Sequence, residues 1–392
     1  MKYITRTIWI LSLISLFTDT ASEMLYPIMP IYLKTIGFSV LLIGILEGIA
    51  EATAGLSKGY FGKLSDLSGK RVPFVQLGYS LSAVSKPMMA VLIYPLWIFF
   101  ARTIDRLGKG IRTGARDALL SDETTRRDKA KVFGFHRAMD TLGAVFGPLL
   151  ALLYLYFHPH DYKTLFYIAF FPGLLAILAS TLLKDKKAPL NNHKKNTSFF
   201  SFLKYWNESP TNYRRLAIGL LTFTLFNSSD VFLLLKIKQS GLNDTMLIGV
   251  YIFYNLIYAI FAFPIGILAD KVGLKTIFIT GLSLFAIVYF GMSINTNLYL
   301  FIVLFFLYGI YASATEGISK AWITNIVDKK DTATAIGTYT GLQSICTMIA
   351  STLTGFLWYK FSATTAFITT GIVTLAIVIY FFTIPKPDIK NY

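Results

Sequence analysis

The chain has 392 residues, of which 54% are hydrophobic and only 15% charged, with a mean hydropathy of +0.57. A soluble domain carries about a quarter charged residues, so a water-soluble globular fold is excluded. The net charge of +16 therefore calls for an explanation in topology before one in nucleic acid, and the single cysteine, Cys346, rules out a disulfide framework or a cysteine metal cluster.

In chain order, apolar runs occupy 8–33, 41–63, 73–94, 96–118, 132–156, 164–184, 215–238, 245–270, 273–293, 297–325, 334–359 and 363–384. Each approaches or exceeds the roughly 20 residues that cross a bilayer at about 1.5 Å per residue. The expected fold is thus all-α and integral to the membrane, with twelve transmembrane helices. The first run is far longer than the apolar core of a signal peptide and is read as the first membrane helix. An even number of spans puts both termini on one side. That side receives Lys2, Arg6, Lys70, Arg71, Arg126, Arg127, Lys129, Lys131, Lys271, Lys275, Lys329, Lys330, Lys386 and Lys390, whereas the other offers little beyond Lys34, Lys163, Lys236, Lys238 and Lys360. By the positive-inside rule the termini are expected in the cytoplasm, and the basic balance follows from orientation.

Residues 184 to 215 interrupt the pattern with a run of basic side chains and two prolines, and the Phe-rich stretch 198–206 is expected to lie on the membrane surface as a short amphipathic helix. The expected domains are a six-helix bundle over 1–184, a basic cytoplasmic linker over 185–213 and a second six-helix bundle over 214–392. The two halves repeat: Gly37/Gly241, Gly62/Gly266, Asp66/Asp270 and Gly69/Gly273 are each 204 residues apart. Six spans return the chain to its starting side, so the repeats run parallel, a plan that in transporters places the solute near the midplane.

These residues carry a resemblance. Gly62, Asp66, Gly69, Lys70 and Arg71 resemble the loop between the second and third helices of the major facilitator superfamily, Gly-x-x-x-Asp-x-x-Gly-Arg/Lys-Arg/Lys, and Gly266 to Lys275 is a degenerate copy. Arg102 resembles the fourth-helix arginine of that superfamily, and Gly143, Gly147 and Pro148 its drug/proton antiporter signature in the fifth helix. The resemblance implies two pseudo-symmetric six-helix bundles and transport by alternating access. Arg106 departs from it, standing where the superfamily usually has a small residue.

The fourth run contains RTIDRLGKGIRTGAR, whose basic residues Arg102, Arg106, Lys109, Arg112 and Arg116 recur at steps of three or four and so share one helical face. Arg112 and Arg116 near the cytoplasmic end are read as snorkelling or gate residues, beside the loop residues Gly62, Asp66, Gly69, Arg71 and Asp270. Arg102 and Arg106 are deeper, where a guanidinium is costly unless paired or wet. Balancing acids are expected in Asp105 and in two i,i+4 pairs, Asp19 with Glu23 and Glu47 with Glu51, facing the same cavity. Asp140, and in the second half Asp230 and Glu316, complete the candidate substrate and proton-coupling residues, while Glu316 and Lys320 also sit at pairing distance along a helix. Lys86 is an isolated charge with no partner legible in the sequence.

Buried carboxylates whose affinity for protons is set by desolvation and by neighbouring charges are natural proton carriers. No phosphate-binding GxxxxGK[ST] loop is present. The leading expectation is a proton-coupled secondary transporter exporting a small organic compound. The alternatives are proton-coupled uptake of an anionic or zwitterionic solute bound by the arginine stripe, a divalent-metal exporter, and a non-transporting receptor. No enzyme activity, cofactor, resident metal or nucleic-acid partner is expected. The expected setting is a bacterial inner membrane, the expected partners are protons, a small solute and lipid, and the expected state is monomeric.

Overall fold

The computed structural model describes residues 4–26, 28–38, 40–185, 198–241, 244–294 and 297–384. Among them the helices are α1 (Arg6–Leu25), α2 (Met29–Thr35), α3 (Val40–Ser68), α4 (Val72–Val91), α5 (Pro95–Asp122), α6 (Lys129–Phe157), α7 (Tyr162–Ser180), α8 (Tyr205–Glu208), α9 (Thr211–Thr224), α10 (Val231–Gln239), α11 (Asp244–Val272), α12 (Leu274–Ile294), α13 (Leu298–Ile326), α14 (Thr332–Lys360) and α15 (Ala363–Thr383). They make twelve spans, because α1 with α2 and α9 with α10 each form one broken span. Seven helices are long and apolar enough to cross a membrane by length and composition alone: α1, α6, α7, most of α11, α12, α13 and α15. In α5 the charges lower the hydropathy, so its place depends on what those charges meet.

Local chemistry sets the ends of the elements. Thr5 caps α1 by accepting the Ile8 amide, Asp161 caps α7 through Thr164, and Ser362 caps α15 through Thr365, each satisfying an amide that has no partner within the helix. Pro87, Pro148, Pro172 and Pro264 stand inside helices, as neighbouring elements in a membrane bundle permit. The break between α1 and α2 falls where Pro27 and Pro30 predict a bend; Pro27 itself lies outside the described residues. The seventh span, expected to be continuous, is not. It stops at Thr224 and resumes at Val231. Between them Asn227, Ser228, Ser229 and Asp230 offer short polar side chains that compete for backbone hydrogen bonds and disfavour a helix interior.

The internal repeat is written into the backbone. The glycines with positive φ among the described residues are Gly37 (93°), Gly241 (91°), Gly69 (63°) and Gly273 (109°), two pairs at the 204-residue offset. A left-handed turn that strains other residues thus recurs at equivalent places, after the first and second spans of each half.

The chain forms two compact units. One comprises 1–123, 139–208 and 327–344, the other 124–138, 209–326 and 345–392. In the first, α5 packs against α3 and α4, and α7 against α1 and α4, over an apolar core that includes Met24, Leu33, Met89, Ile98, Leu165 and Phe166. In the second, α13 packs on α11 and α12, and α12 on α15. Its core is aromatic: Phe285 stacks on Tyr289 at 4.2 Å, and Phe381 lies 4.9 Å from Phe278 and 6.0 Å from Trp322.

Candidate functional site

The basic stretch of α5 divides by what its glycines allow. Any Cβ at Gly108 would collide with the Gly78 carbonyl of α4, and any at Gly110 with Ser57 of α3. The two glycines therefore let α5 approach two neighbours at once. Lys109 between them is exposed, whereas Arg102 and Arg112 on the same expected face are covered.

Lys86 of α4 finds its partner here. Its Nζ lies 2.7 Å from Asp105 Oδ1 and 3.2 Å from Ser22 Oγ, and Lys86 is 2% exposed. The second carboxylate oxygen faces Arg102 Nη1 at 3.4 Å and Arg106 Nε at 3.7 Å. Three cations from two helices thus converge on the one Asp105 carboxylate. Such a buried cluster holds only while each member keeps its partner. Toward the motif-loop end, Arg112 donates to Ser82 Oγ at 2.6 Å and lies 4.6 Å from the Tyr79 ring centroid, and Arg116 pairs with the fully buried Asp117 at 2.9 Å. Both arginines are covered by protein, and of the two readings, snorkelling or salt bridges, the Arg116–Asp117 pair matches the second, while Arg112 finds a hydroxyl and an aromatic face.

The acids meet along α1 and α6. Gly143 and Gly147 of α6 face the α1 backbone at Leu16, Asp19, Thr20, Glu23 and Met24 so closely that no side chain would fit. This contact brings Asp19 and Asp140 to the same place, and Ser15 donates to Asp140 there. Two ionised carboxylates side by side repel, and a proton on either one relieves that repulsion. Spacing along one helix pairs Asp19 with Glu23; the tertiary fold pairs Asp19 with Asp140. Glu47 and Glu51 lie on α3, and their side chains fall outside the described residues.

The motif loop builds a latch, and the structure builds it twice. In the first unit Asp66 Oδ2 accepts the Thr334 amide at 2.6 Å and its hydroxyl at 2.7 Å, at the N-terminus of α14. In the second unit Asp270 accepts the Ala130 and Lys131 amides at 3.0 and 2.9 Å, at the N-terminus of α6. A carboxylate there satisfies amides that the helix cannot, and complements its dipole. Gly62 touches the Ala333 carbonyl and Gly266 the Ala130 carbonyl with no room for a Cβ, which gives the first glycine of each motif its reason. Gly69 supplies the left-handed turn. Arg71 ties the first latch together, reaching Asp66 and Asp122 at 2.8 Å each and the Lys329 carbonyl at 3.3 Å. Burial pushes the Asp66 carboxyl up to about 6, with Arg71 opposing the rise.

Three contributors were not legible in the sequence. Asp122 belongs to the Arg71 network, and Asp185 caps α4 by accepting the Arg71 and Val72 amides at 2.8 and 3.0 Å. The third is Phe202. The stretch 198–206 is a 3₁₀ turn leading into α8, with Phe199, Phe200 and Leu203 exposed, as an amphipathic surface segment should be, but Phe202 and Tyr205 buried. The Phe202 ring presses on Gly59 of α3, its carbonyl accepts from Thr338 of α14, and Lys63 holds the Ser201 carbonyl at 2.9 Å. The motif Ser-Phe-Phe-Ser-Phe carried the amphipathic signal; the glycine that receives it lies some 140 residues earlier in the chain.

In the second unit, Asp230 sits at the broken seventh span among tyrosines. Tyr308 donates to Asp230 Oδ1 at 2.6 Å, and Asn227 Nδ2 to the Tyr311 hydroxyl at 3.1 Å. Tyr308 lies 5.1 Å from Tyr254 and 5.2 Å from Tyr311 between ring centroids. Glu316 is half-exposed and pairs with Arg137, a partner from the fifth span of the first half that helical spacing did not suggest.

A model of the Major Facilitator Superfamily matches residues 11–254 and 246–392. An uncharacterised MFS-type transporter of Methanocaldococcus jannaschii is 30% identical, over 91% of this chain and 89% of the relative. The quinolone resistance protein NorA of Staphylococcus aureus is 26% identical over 44% of this chain and 42% of its own. Among solved structures, a human organic anion transporter superposes with a TM-score of 0.79 at 16% identity, covering 96% of this chain and 99% of the other, and the E. coli fucose:proton symporter FucP with 0.76 at 12%, covering 97% and 98%. The duplicated latch, the twelve spans and these matches lead to one conclusion: the chain belongs to the Major Facilitator Superfamily.

Proposed function

We propose that this transporter is proton-coupled and exports a small organic compound by antiport, working as a monomer by alternating access. The observation that carries the reading is the meeting of Asp19 and Asp140 where Gly143 and Gly147 bring α6 onto α1. One proton is enough to hold the pair together, and its loss sets two like charges side by side, so occupancy by a proton changes how α1 and α6 meet. Gly143 and Gly147 make that contact backbone to backbone, where a small charge change becomes a change in helix packing. The similar sequence NorA is named for quinolone resistance and the similar fold FucP for fucose:proton symport. The glycines and Pro148 of α6 support export. The proposed setting is a bacterial inner membrane with the motif loops, linker and termini in the cytoplasm, supported by the bias of Lys and Arg.

A second reading, uptake of an anionic solute, is favoured by one observation, the convergence of Lys86, Arg102 and Arg106 on Asp105. The test for both is purified protein in liposomes with a pH dye inside and an imposed proton gradient. Export by antiport predicts proton movement opposite to substrate, abolished by Asp140→Asn and Asp19→Asn. Movement in the same direction as an organic anion establishes the second reading, and flux of substrate without protons overturns both.

A further inference from the structure

Equivalent joints in the two units are filled in different ways. In the first, α3 meets the start of α14 backbone to backbone: Gly337 has no room for a Cβ against the Lys58 carbonyl, nor Gly62 against that of Ala333. In the second, α11 meets the start of α6 likewise, Gly134 against the Ala262 carbonyl and Gly266 against that of Ala130. Lys58 and Ala262 stand 204 residues apart, as the motif glycines do, and Gly134 and Gly337 stand 203 apart. The same offsets match Gly59 with Phe263, Lys63 with Ile267 and Thr338 with Phe135. In the second unit Phe135 and Phe263 meet edge to face, 5.6 Å between ring centroids. The first unit has no ring at either place. Its ring comes from the linker: Phe202, 2% exposed, presses on Gly59 and comes within 3.8 Å of where a Cβ of Gly341 would stand. Lys63 Nζ donates to the Ser201 carbonyl and the Thr338 hydroxyl to that of Phe202. Where the second unit has three apolar side chains, the first thus has a gap and two hydrogen-bond donors, which together seat the linker.

The seat is made by two helices, Gly59 and Lys63 from α3 and Thr338 and Gly341 from α14, so Phe202 has all of its partners only while the two touch. A group that gains contacts in one arrangement and loses them in the other shifts the balance between the two by that difference. Helix α14 belongs to the first unit as far as Ser344 and to the second from Ile345, so a movement of one unit against the other pulls on this joint. Without Phe202 the joint would hold a ring-sized void, which is costly. A ring fixed to α3, as Phe263 is to α11, would stay with the wall; one carried by the linker can leave. The other face of the segment keeps it nearby: Phe199, Phe200 and Leu203 are exposed, with Phe199 5.2 Å from Tyr60, as suits a segment lying at the bilayer interface. We propose that the linker segment 198–206 is a removable plug, and that Phe202 sets the balance between the shut and open arrangements of the joint between α3 and α14. The inference rests on the alternating-access reading above and names a residue that controls its gate at the motif-loop side.

The test measures the separation of α3 from α14 in the full chain in lipid nanodiscs, by dipolar spectroscopy between spin labels on Lys70→Cys and Lys330→Cys, with Cys346→Ser. Both labelled positions are exposed, one just past α3 and the other just before α14. With Phe202 in place the short distance is expected to dominate. Phe202→Ala is expected to raise the ratio of long to short distances at least about tenfold, and Phe200→Ala, on the exposed face, to leave it unchanged. Lys63→Met keeps the ring and loses one hold on the linker, and is expected to raise the ratio about twofold or more; this variant carries the test should Phe202→Ala fail to fold. Gly59→Phe added to Phe202→Ala returns a ring to the place where the second unit carries one. It is expected to restore the short distance, which a general loss of stability would not allow. A ratio indifferent to Phe202→Ala and Lys63→Met, an equal rise with Phe200→Ala, or no restoration by Gly59→Phe overturns the proposal. The measurement needs neither solute nor proton gradient, so a plug that behaves as described in a chain without proton-coupled flux overturns the coupling and leaves this inference standing.

Discussion

The fourth spans of the two halves occupy equivalent places and are filled by opposite chemistries. Helix α5 carries Arg102, Asp105, Arg106, Lys109, Arg112, Arg116 and Asp117, most of them covered by protein; α13 carries only Glu316 and Lys320 as charges and presents Tyr308 and Tyr311 among small hydroxyl and apolar residues. In the first unit, buried order is electrostatic and depends on each ion keeping its partner. In the second, it is aromatic, with a single acid at the break of the seventh span. The latches behave otherwise: Asp66 on α14 and Asp270 on α6 have the same geometry in both units. Duplication has thus kept the mechanical element symmetric, and the two centres have diverged in the charge that they present.

The largest effect that would break this comparison is on coupling. Asp140→Asn removes one of the two acids that meet between α1 and α6 and is expected to lower proton-coupled transport at least about 100-fold, measured as dye-reported flux in liposomes, whereas Glu316→Gln in the second half is expected to lower it far less. Next is the stability of the two centres. Asp105→Leu leaves the buried Lys86 ammonium with only the Ser22 hydroxyl and is expected to cost about 3–5 kcal/mol, seen in thermal unfolding. Glu316→Ala, losing a half-exposed pair, should cost less than about 1 kcal/mol. Similar losses at the two positions would show that the first centre is not electrostatic in the way described.

The linker offers a test that has no equivalent in the second unit. Phe202→Ala vacates the space against Gly59 and is expected to cost about 3 kcal/mol, while Phe200→Ala, an exposed neighbour, should be near neutral; parallel unfolding of the two variants distinguishes a seated ring from a surface segment. For the latches, Gly62→Ala and Gly266→Ala are each expected to cost about 1–3 kcal/mol by forcing apart a helix contact that leaves no space for a methyl group, and nearly equal losses are the signature of symmetry. The last effect is one of pH. Because burial raises the Asp66 carboxyl to about 6, the folded chain binds its proton more tightly than the unfolded chain does. The stability of the natural chain relative to Asp66→Asn is therefore expected to fall as pH rises from about 4 to about 6 and to be flat above that. A rise across this window would mean that Arg71 and the α14 amides outweigh burial.

Much of this was legible because it depends on period and length. Apolar runs matched to bilayer thickness give the spans, and the 204-residue offset gives the repeat, down to the four glycines that turn out to have positive φ. Asp66 and Asp270 stand out in the sequence by their motif, though not by what they hold. The seventh span was read as continuous because hydropathy averages over the short polar run at 227–230 that breaks it. Lys86 could not be placed, because its partner lies across a helix contact set by Gly78 and Gly108.

The sequence by itself determined that the chain is helical, membrane-embedded, duplicated and built on the superfamily plan, since each of these follows from composition and spacing along one strand of chain. Only the tertiary structure decided which charges meet: Lys86 with Asp105, Asp19 with Asp140, each motif carboxylate with the start of a fifth span, Phe202 with Gly59. Periodicity fixes the face on which a residue stands, but a pairing energy depends on separation in space, and that separation is set by where glycines let two backbones touch.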